Sequence, residues 1–264
     1  MLLDVEKITD MVKTAARDSL MPFFENITAS VKADGSLVTE ADLAVQQTLH
    51  LKLTDEWPEY GFFAEELSAA EQQDFFAHHQ RGFWCLDPLD GTSNFSCGLP
   101  YFAISLALIV NQETIFGLVY DPNRDECFTA LKGQGACLNK QPIEAKSVPV
   151  QLNQCIANVD FKRLPKTLNT LLACEPPYRS QRSFGAAALD WCWLAAGRCQ
   201  LFLHGKQMLW DHAAGCLIAH ESGCVSSNLQ GEPVFELSLK KRQVVAAVNG
   251  ELYSQWFEFI KDSA

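Results

Sequence analysis

Asp87 and Asp90 stand three residues apart after the apolar run 82–86, and Gly91-Thr92-Ser93-Asn94-Phe95 follows them. Two carboxylates at this spacing can chelate one or two hard cations from adjacent turns of a loop. Pro88 stiffens the backbone between them, which lets the Leu89 carbonyl face the same ion. Gly91 permits close backbone approach, so the amides of Asp90, Gly91 and Thr92 could cradle a phosphate. A capped helix start after a strand uses the same residue types, so this string alone does not decide. Two further acidic features accompany it. Glu65-Glu66 closes the stretch Tyr60-Gly61-Phe62-Phe63-Ala64, and Asp211 follows Trp210 at the head of Ala213-Ala214-Gly215. The plain readings are a solvated helix start for the first and a helix cap for the second.

The elements that must position these residues follow from periodicity. Ile8, Met11, Val12, Ala15, Ala16 and Leu20 recur at helical spacing over 5–20. A second helix is predicted from Thr39-Glu40-Ala41-Asp42, with Thr39 capping and Ala41, Ala44, Val45, Thr48 and Leu49 facing inward. The run 82–86 reads as a strand that stops at a loop beginning at Asp87. The segments 102–110 and 114–120 read as a hairpin, and 128–131 with 136–138 as another. Beyond about Pro142 short strands at 155–159, 200–204, 224–226 and 244–248 alternate with helices at 186–196, 211–222 and 252–260. The expectation is an α/β protein, α+β in its first half and α/β in its second. The division is expected near Pro142 to Pro149, giving 1–143 and 144–264, the second unit contributing Asp211 and the substrate side.

Composition narrows the partners. The chain has 264 residues, 48% hydrophobic and 20% charged, and a formal net charge of −11. That size and mix support a full core without disulfides. The acidic surface repels nucleic acid and anionic membranes, so neither is an expected partner, while bound cations could still bring in an anionic substrate. The N-terminus has no basic, apolar leader, and the apolar run 101–110 is half the length of a spanning helix. A cytoplasmic protein is expected. Its ten cysteines are scattered without a Cys-x-x-Cys pair, and reduced, mostly buried thiols are expected. His78, His79, His204, His212 and His220 show no zinc-ligand spacing. His212 and His220 are expected to decorate a helix, and Trp191 and Trp193 to be core. Nucleotide-binding glycine loops are absent.

Taken in order, these segments resemble the inositol monophosphatase family. The string Trp84-Cys85-Leu86-Asp87-Pro88-Leu89-Asp90-Gly91-Thr92-Ser93-Asn94-Phe95 is similar to its first signature, and Trp210-Asp211-His212-Ala213-Ala214-Gly215 to its second. Lys32, Asp34, Ser36, Val38, Thr39 and Asp42 resemble its upstream block, and Gly185 to Ala187 the block bordering the substrate. The resemblance implies a five-layered αβαβα sandwich, usually a homodimer, that hydrolyses a small phosphomonoester. It implies two to three Mg²⁺ ions, replaceable by Mn²⁺, and inhibition by lithium. Glu65, Asp87 and the Leu89 carbonyl would bind one ion, Asp87, Asp90 and Asp211 a second, and Glu65 a third through water. Asp42 and Thr92 would orient and deprotonate the attacking water, with Glu65 among the catalytic residues. Gly91 and Thr92 amides would hold the phosphate, while Asp90, Gly185, Ala186, Ala187, His204 and Asp211 would meet the substrate.

Physical chemistry agrees with a cation there. A like-charged pair at 4 Å costs about 4 kcal/mol at an effective dielectric of 20, and all-oxygen ligation selects Mg²⁺ or Mn²⁺ over zinc. Two departures from the family pattern stand out. Ala64 replaces a glycine, and His204 replaces the acidic residue that contacts sugar hydroxyls seven positions before Asp211, with Lys206 nearby able to favour a second anionic group. The expected reaction is hydrolysis of myo-inositol 1-phosphate, which the Ser93-Asn94-Phe95 ending favours. Another sugar, histidinol or nucleotide phosphate, or a regulatory scaffold of the same fold, are the alternatives.

Overall fold

The computed structural model describes residues 3–24, 30–31, 37–38, 40–78, 82–143 and 151–261. Thr39 with Lys32, Asp34 and Ser36 of the upstream block, His79, and the stretch 144–150 that holds the expected division lie outside the described residues.

The first helix, α1 (Val5–Ala15), is capped by Asp4, whose carboxylate accepts the Lys7 amide, and runs on through a π-type turn at Ala16–Leu20. A short antiparallel pair, β1 (Ser30–Val31) and β2 (Leu37–Val38), precedes α2 (Glu40–Glu56). Then come β3 (Gly61–Ala64), α3 (Ala69–His78), β4 (Gly82–Asp90), α4 (Thr92–Ser96), β5 (Ala103–Val110), β6 (Glu113–Asp121), β7 (Glu126–Leu131), β8 (Ala136–Leu138) and β9 (Gln141–Ile143). The strands β3 to β9 form one sheet in sequence order, parallel only between β3 and β4. The predicted 102–110 and 114–120 hairpin is β5 and β6, and Asn111 and Gln112 both take positive φ (50° and 65°) at its turn. Such a turn matches the natural twist of the two strands.

The second half carries β10 (Ile156–Asp160), α5 (Lys166–Cys174), β11 (Ser180–Arg182), α6 (Ala187–Ala195), β12 (Leu201–Gln207), α7 (Leu209–Glu221), β13 (Val225–Ser227), β14 (Arg242–Ala247) and α8 (Gly250–Lys261). Its sheet has the order β11-β10-β12-β14-β13, with β10 parallel to both neighbours.

The layers follow from which side chains face where. Along β4 the side chains alternate. Trp84 and Leu86 join Val12, Val45, Leu49 and Phe116 under α1 and α2, while Phe83 and Cys85 join α6, α7 and the second sheet. On the far side of that sheet lie α5, through Leu168 and Leu172, and α8, whose Trp256 indole donates to the Phe202 carbonyl at 3.3 Å. Helices, sheet, helices, sheet, helices: the αβαβα sandwich is present. Helix α7 occupies the middle layer, with nine of its thirteen residues buried. It fits because β6 offers Gly117, where an added Cβ would stand 2.8 Å from the Ala214 carbonyl oxygen. All ten cysteines are free. No helix among the described residues is long and apolar enough to cross a membrane.

Candidate active site

Strand β4 does not stop at Leu86 as expected; it runs on to Asp90 through a bulge. Asp87 pairs with Ser105 and Asp90 with Ala103, three steps on β4 against two on β5. Side chains alternate along a strand, so two residues three apart would normally point to opposite faces. The extra residue turns Asp90 onto the face that Asp87 already occupies. Pro88 sits inside the bulge, where its missing N–H breaks no ladder bond, and the Asp87 carboxylate accepts the Leu89 amide at 3.0 Å. Thus the aspartate pair is a property of a distorted strand rather than of a loop.

The other acids are brought to it by neighbouring elements. Ala64 of β3 pairs with Leu86, and the Glu65 amide continues that ladder to the Leu86 carbonyl at 3.1 Å, which sets Glu65 beside Asp87. Ser105, opposite Asp87, donates its hydroxyl to the Trp210 carbonyl at 3.2 Å and so ties α7 to the bulge. Asp211 is the third residue of α7, not its cap. Its carboxylate reaches back to the Met208 amide at 2.7 Å, closing the helix start. Asp42 is buried in the first turn of α2. Asp90 is held from the second half, accepting the Ala187 and Ala188 amides at 3.0 and 2.6 Å.

Electrostatics confirms that these groups share one field. Burial pushes the Asp87 carboxyl well above the usual range, and Glu65, Asp90, Asp211 and Asp42 push it further. Asp90 rises to about 7, chiefly by burial, against the pull of its two amides and with the push of Asp190 and Glu65. Asp211 also rises to about 7, by burial and then by the field of Asp90, with the Met208 amide opposing. Among the described residues no three His, Cys, Asp or Glu side chains already form a tight cage. The donors are all oxygen, repel one another, and include the Leu89 carbonyl on the bulge. A hard divalent cation relieves that repulsion, so the residues present fit one.

Beside the acids opens a cavity of about 450 Å³. Of the expected site residues, Asp90, Asp211, Gly185, Ala186, Ala187 and His204 line it. Asp42, Glu65, Asp87, Leu89, Gly91 and Thr92 are not among its lining residues. Gly91, at φ 97°, has no room for a side chain, since a Cβ would lie 3.1 Å from both the Ala186 Cβ and the Tyr101 carbonyl oxygen. Asn94 staples the two halves, donating to the carbonyls of Tyr101 and Phe184 at 2.7 and 2.8 Å. A larger cavity, about 600 Å³, lies under α1 against β7 and β8 and contains none of these residues.

The cavity wall also holds groups that the sequence did not single out: Asp160, Lys162, Arg163 and Asp190. Asp190 hides in the apolar pattern of α6, where it accepts the Tyr101 hydroxyl at 2.9 Å and burial lifts its carboxyl to about 7. Periodicity could have flagged it, as one acid among buried Leu189, Trp191 and Cys192. Asp160 ends β10 directly opposite His204 of β12, and that pairing has no sequence signal. His212 does not decorate α7 but is fully buried, packed edge-on to Phe235, and burial holds it neutral with its proton affinity lowered to about 4. Trp191 is core, and Trp193 is half-buried with Arg124 and Arg198 over its ring.

Comparison with known proteins agrees with this architecture. The sequence profile of the inositol monophosphatase family matches residues 4–262. The chain is 33% identical over 261 residues to inositol monophosphatase 1 of Solanum lycopersicum, covering 96% of this chain and 92% of that protein. It is 31% identical over 211 residues to the Nus factor SuhB of Pasteurella multocida, covering 78% and 77%. Among solved structures, the Thermotoga maritima IMPase superposes with a TM-score of 0.84 at 25% identity, covering 98% of this chain and 97% of that one. With a bulged strand gathering acids beside a polar cavity, an αβαβα sandwich around it, and a profile match from end to end, this chain belongs to the inositol monophosphatase family, a family of phosphatases.

Proposed function

We propose that this chain is a Mg²⁺-dependent phosphomonoesterase for a small polyol phosphate, with myo-inositol 1-phosphate as its first substrate. The observation that carries the reading is the shared field of Glu65, Asp87, Asp90 and Asp211, which reach one place from three separate stretches of chain. Together with the Leu89 carbonyl they would hold two to three Mg²⁺ ions, or Mn²⁺ in their place. Bound there, the ions would neutralise phosphate charge and make water a stronger nucleophile.

The chain's own groups do the positioning. The Thr92 hydroxyl donates to the Leu89 carbonyl at 3.1 Å, which leaves its oxygen lone pairs to accept from an attacking water. Asp42, buried at the start of α2, takes the proton, and Glu65 on the strand edge acts on Asp87 from another side. The amides of Gly91 and Thr92, set by the left-handed backbone at Gly91, hold the phosphate oxygens. The alcohol leaves on the side of Gly185, Ala186 and Ala187, where the cavity lies. A cytoplasmic homodimer belongs to the same reading, supported by the family resemblance, and sedimentation of the purified protein tests the dimer.

The test is phosphate release from a panel of polyol, sugar, histidinol and nucleotide monophosphates with Mg²⁺, with and without lithium. Turnover of inositol 1-phosphate that lithium suppresses is expected. A regulatory role on the same fold is the second reading, favoured by the Nus factor name of the Pasteurella multocida relative. Metal binding with no turnover of any panel member would decide for it.

A further inference from the structure

The residue in the family's sugar-contacting acidic position is His204, and its ring is not free to do that work. Its Nε2 lies 3.0 Å from the Asp160 carboxylate, and its Nδ1 accepts the Lys206 amide at 3.2 Å. Because Nδ1 is an acceptor, the proton of the neutral ring sits on Nε2 and is donated to Asp160. Both nitrogens are therefore occupied within the protein. Asp160 is placed differently. It ends β10 opposite His204, lines the cavity together with Gly185 to Ala187, and keeps 28% of its side chain exposed. Its two oxygens accept from His204 and from the Lys162 amide at 2.8 Å. A carboxylate has about four lone-pair sites, so two remain for a ligand.

The loop after Asp160 is fixed closely enough to make this a built feature. An added Cβ on Gly205 would come within 2.2 Å of the Arg163 carbonyl oxygen, so only glycine lets the 161–163 turn lie against β12. The Arg163 guanidinium then donates to the Lys206 carbonyl at 3.2 Å. The hydrogen bond from His204 also keeps the Asp160 carboxyl below its usual range, hence ionised. Lys206 itself is exposed and does not line the cavity.

From this geometry we infer that Asp160 is the group that reads the hydroxyls of the substrate alcohol, with His204 as its positioning residue: the acid has moved from β12 to the facing end of β10. The substrate class is a phosphomonoester whose alcohol carries further hydroxyls near the ester, which the free lone pairs of Asp160 can accept from. This assignment rests on the phosphatase reading above.

The experiment compares kcat/KM for myo-inositol 1-phosphate and cyclohexyl phosphate, the same ring without hydroxyls, with Mg²⁺. The ratio within one preparation cancels any loss of folded protein. Wild type should favour the inositol ester strongly. Asp160→Ala should lower that ratio tenfold or more, mostly through KM. His204→Leu should lower it too, and His204→Gln, which keeps a donor for Asp160, should restore most of it. A ratio unchanged within twofold in Asp160→Ala overturns the assignment while leaving the phosphatase intact. A wild-type preference for inositol 1,4-bisphosphate would also overturn it, in favour of Lys162 and Arg163 of the same wall. No turnover of either ester by wild type sinks the phosphatase reading, and this inference with it.

Discussion

The two ends of the pocket are built on opposite electrostatic plans. At the bulge of β4, Asp87 and Asp90 are buried with the partly exposed Asp211 in their field, and desolvation and mutual repulsion raise all three. At the ends of β10 and β12, Asp160 is partly exposed, paired with His204, and lowered. One end is left in conflict that a cation resolves, and the other is satisfied from within the chain. On the proposed function the contrast separates reactivity from recognition: charge in conflict would serve the reacting phosphate, and charge at rest a fixed template for the alcohol.

The largest effect should come from removing one member of the conflict. Asp90→Asn should leave a folded protein by circular dichroism, since an amide oxygen can still accept from Ala187 or Ala188, yet reduce kcat by about a thousandfold or more. A near-wild-type rate would break the division between the two ends.

Acidity should separate them next. Asp90, Asp190 and Asp211 titrate near 7 in the fold and near 4 in the unfolded chain, so they stabilise the fold fully below about pH 4. That contribution is lost as pH climbs through about 7. With metal chelated, melting temperature should be lower at pH 8 than at pH 5 by on the order of 5 °C, and Mg²⁺ should raise it more at pH 8. A melting temperature that rises from pH 5 to pH 8 would contradict the picture.

Gly205→Ala sharpens the contrast from the other side. The new methyl pushes on the Arg163 carbonyl, and overpacking of this kind costs about 1–3 kcal/mol. The alcohol end should shift while the acids stay, so KM for inositol 1-phosphate should rise with Mg²⁺ affinity unchanged by calorimetry. The smallest effect belongs to Asp160→Asn. A lowered carboxylate gives stability above its unfolded pKa that disappears on acidification, and at a pair whose acid is partly exposed this is at most about 1 kcal/mol at pH 7. Denaturant midpoints at pH 7 and pH 3 should show a small loss at the first and none at the second.

Much of this was legible in the chain. The string from Trp84 to Phe95 and the Trp210-Asp211 helix start located the acids, and the two apolar runs on either side of Asn111-Gln112-Glu113 gave the central hairpin. The bulge was not legible, because Asp-Pro reads locally as the end of a strand and only pairing with β5 shows that it continues. Asp190 was legible in principle, as the one acid within the apolar run of α6, but nothing local tied it to the cavity. Asp160 and His204 lie 44 residues apart and meet only because β10 and β12 run parallel in register. Local pattern encodes elements, whereas a partner across a sheet is decided by the packing of the whole chain.

Gly117 carries one more consequence, for biosynthesis. The backbone contact between β6 and Ala214 makes a helix from the second half the cover of the first half's sheet. While the ribosome is still adding residues beyond 143, Phe83, Val119 and Phe128 have no lid, and a nascent chain in that state offers a sticky apolar surface. Neither half expressed by itself should stay dispersed, and the order of synthesis makes early chaperone protection a natural companion of this protein.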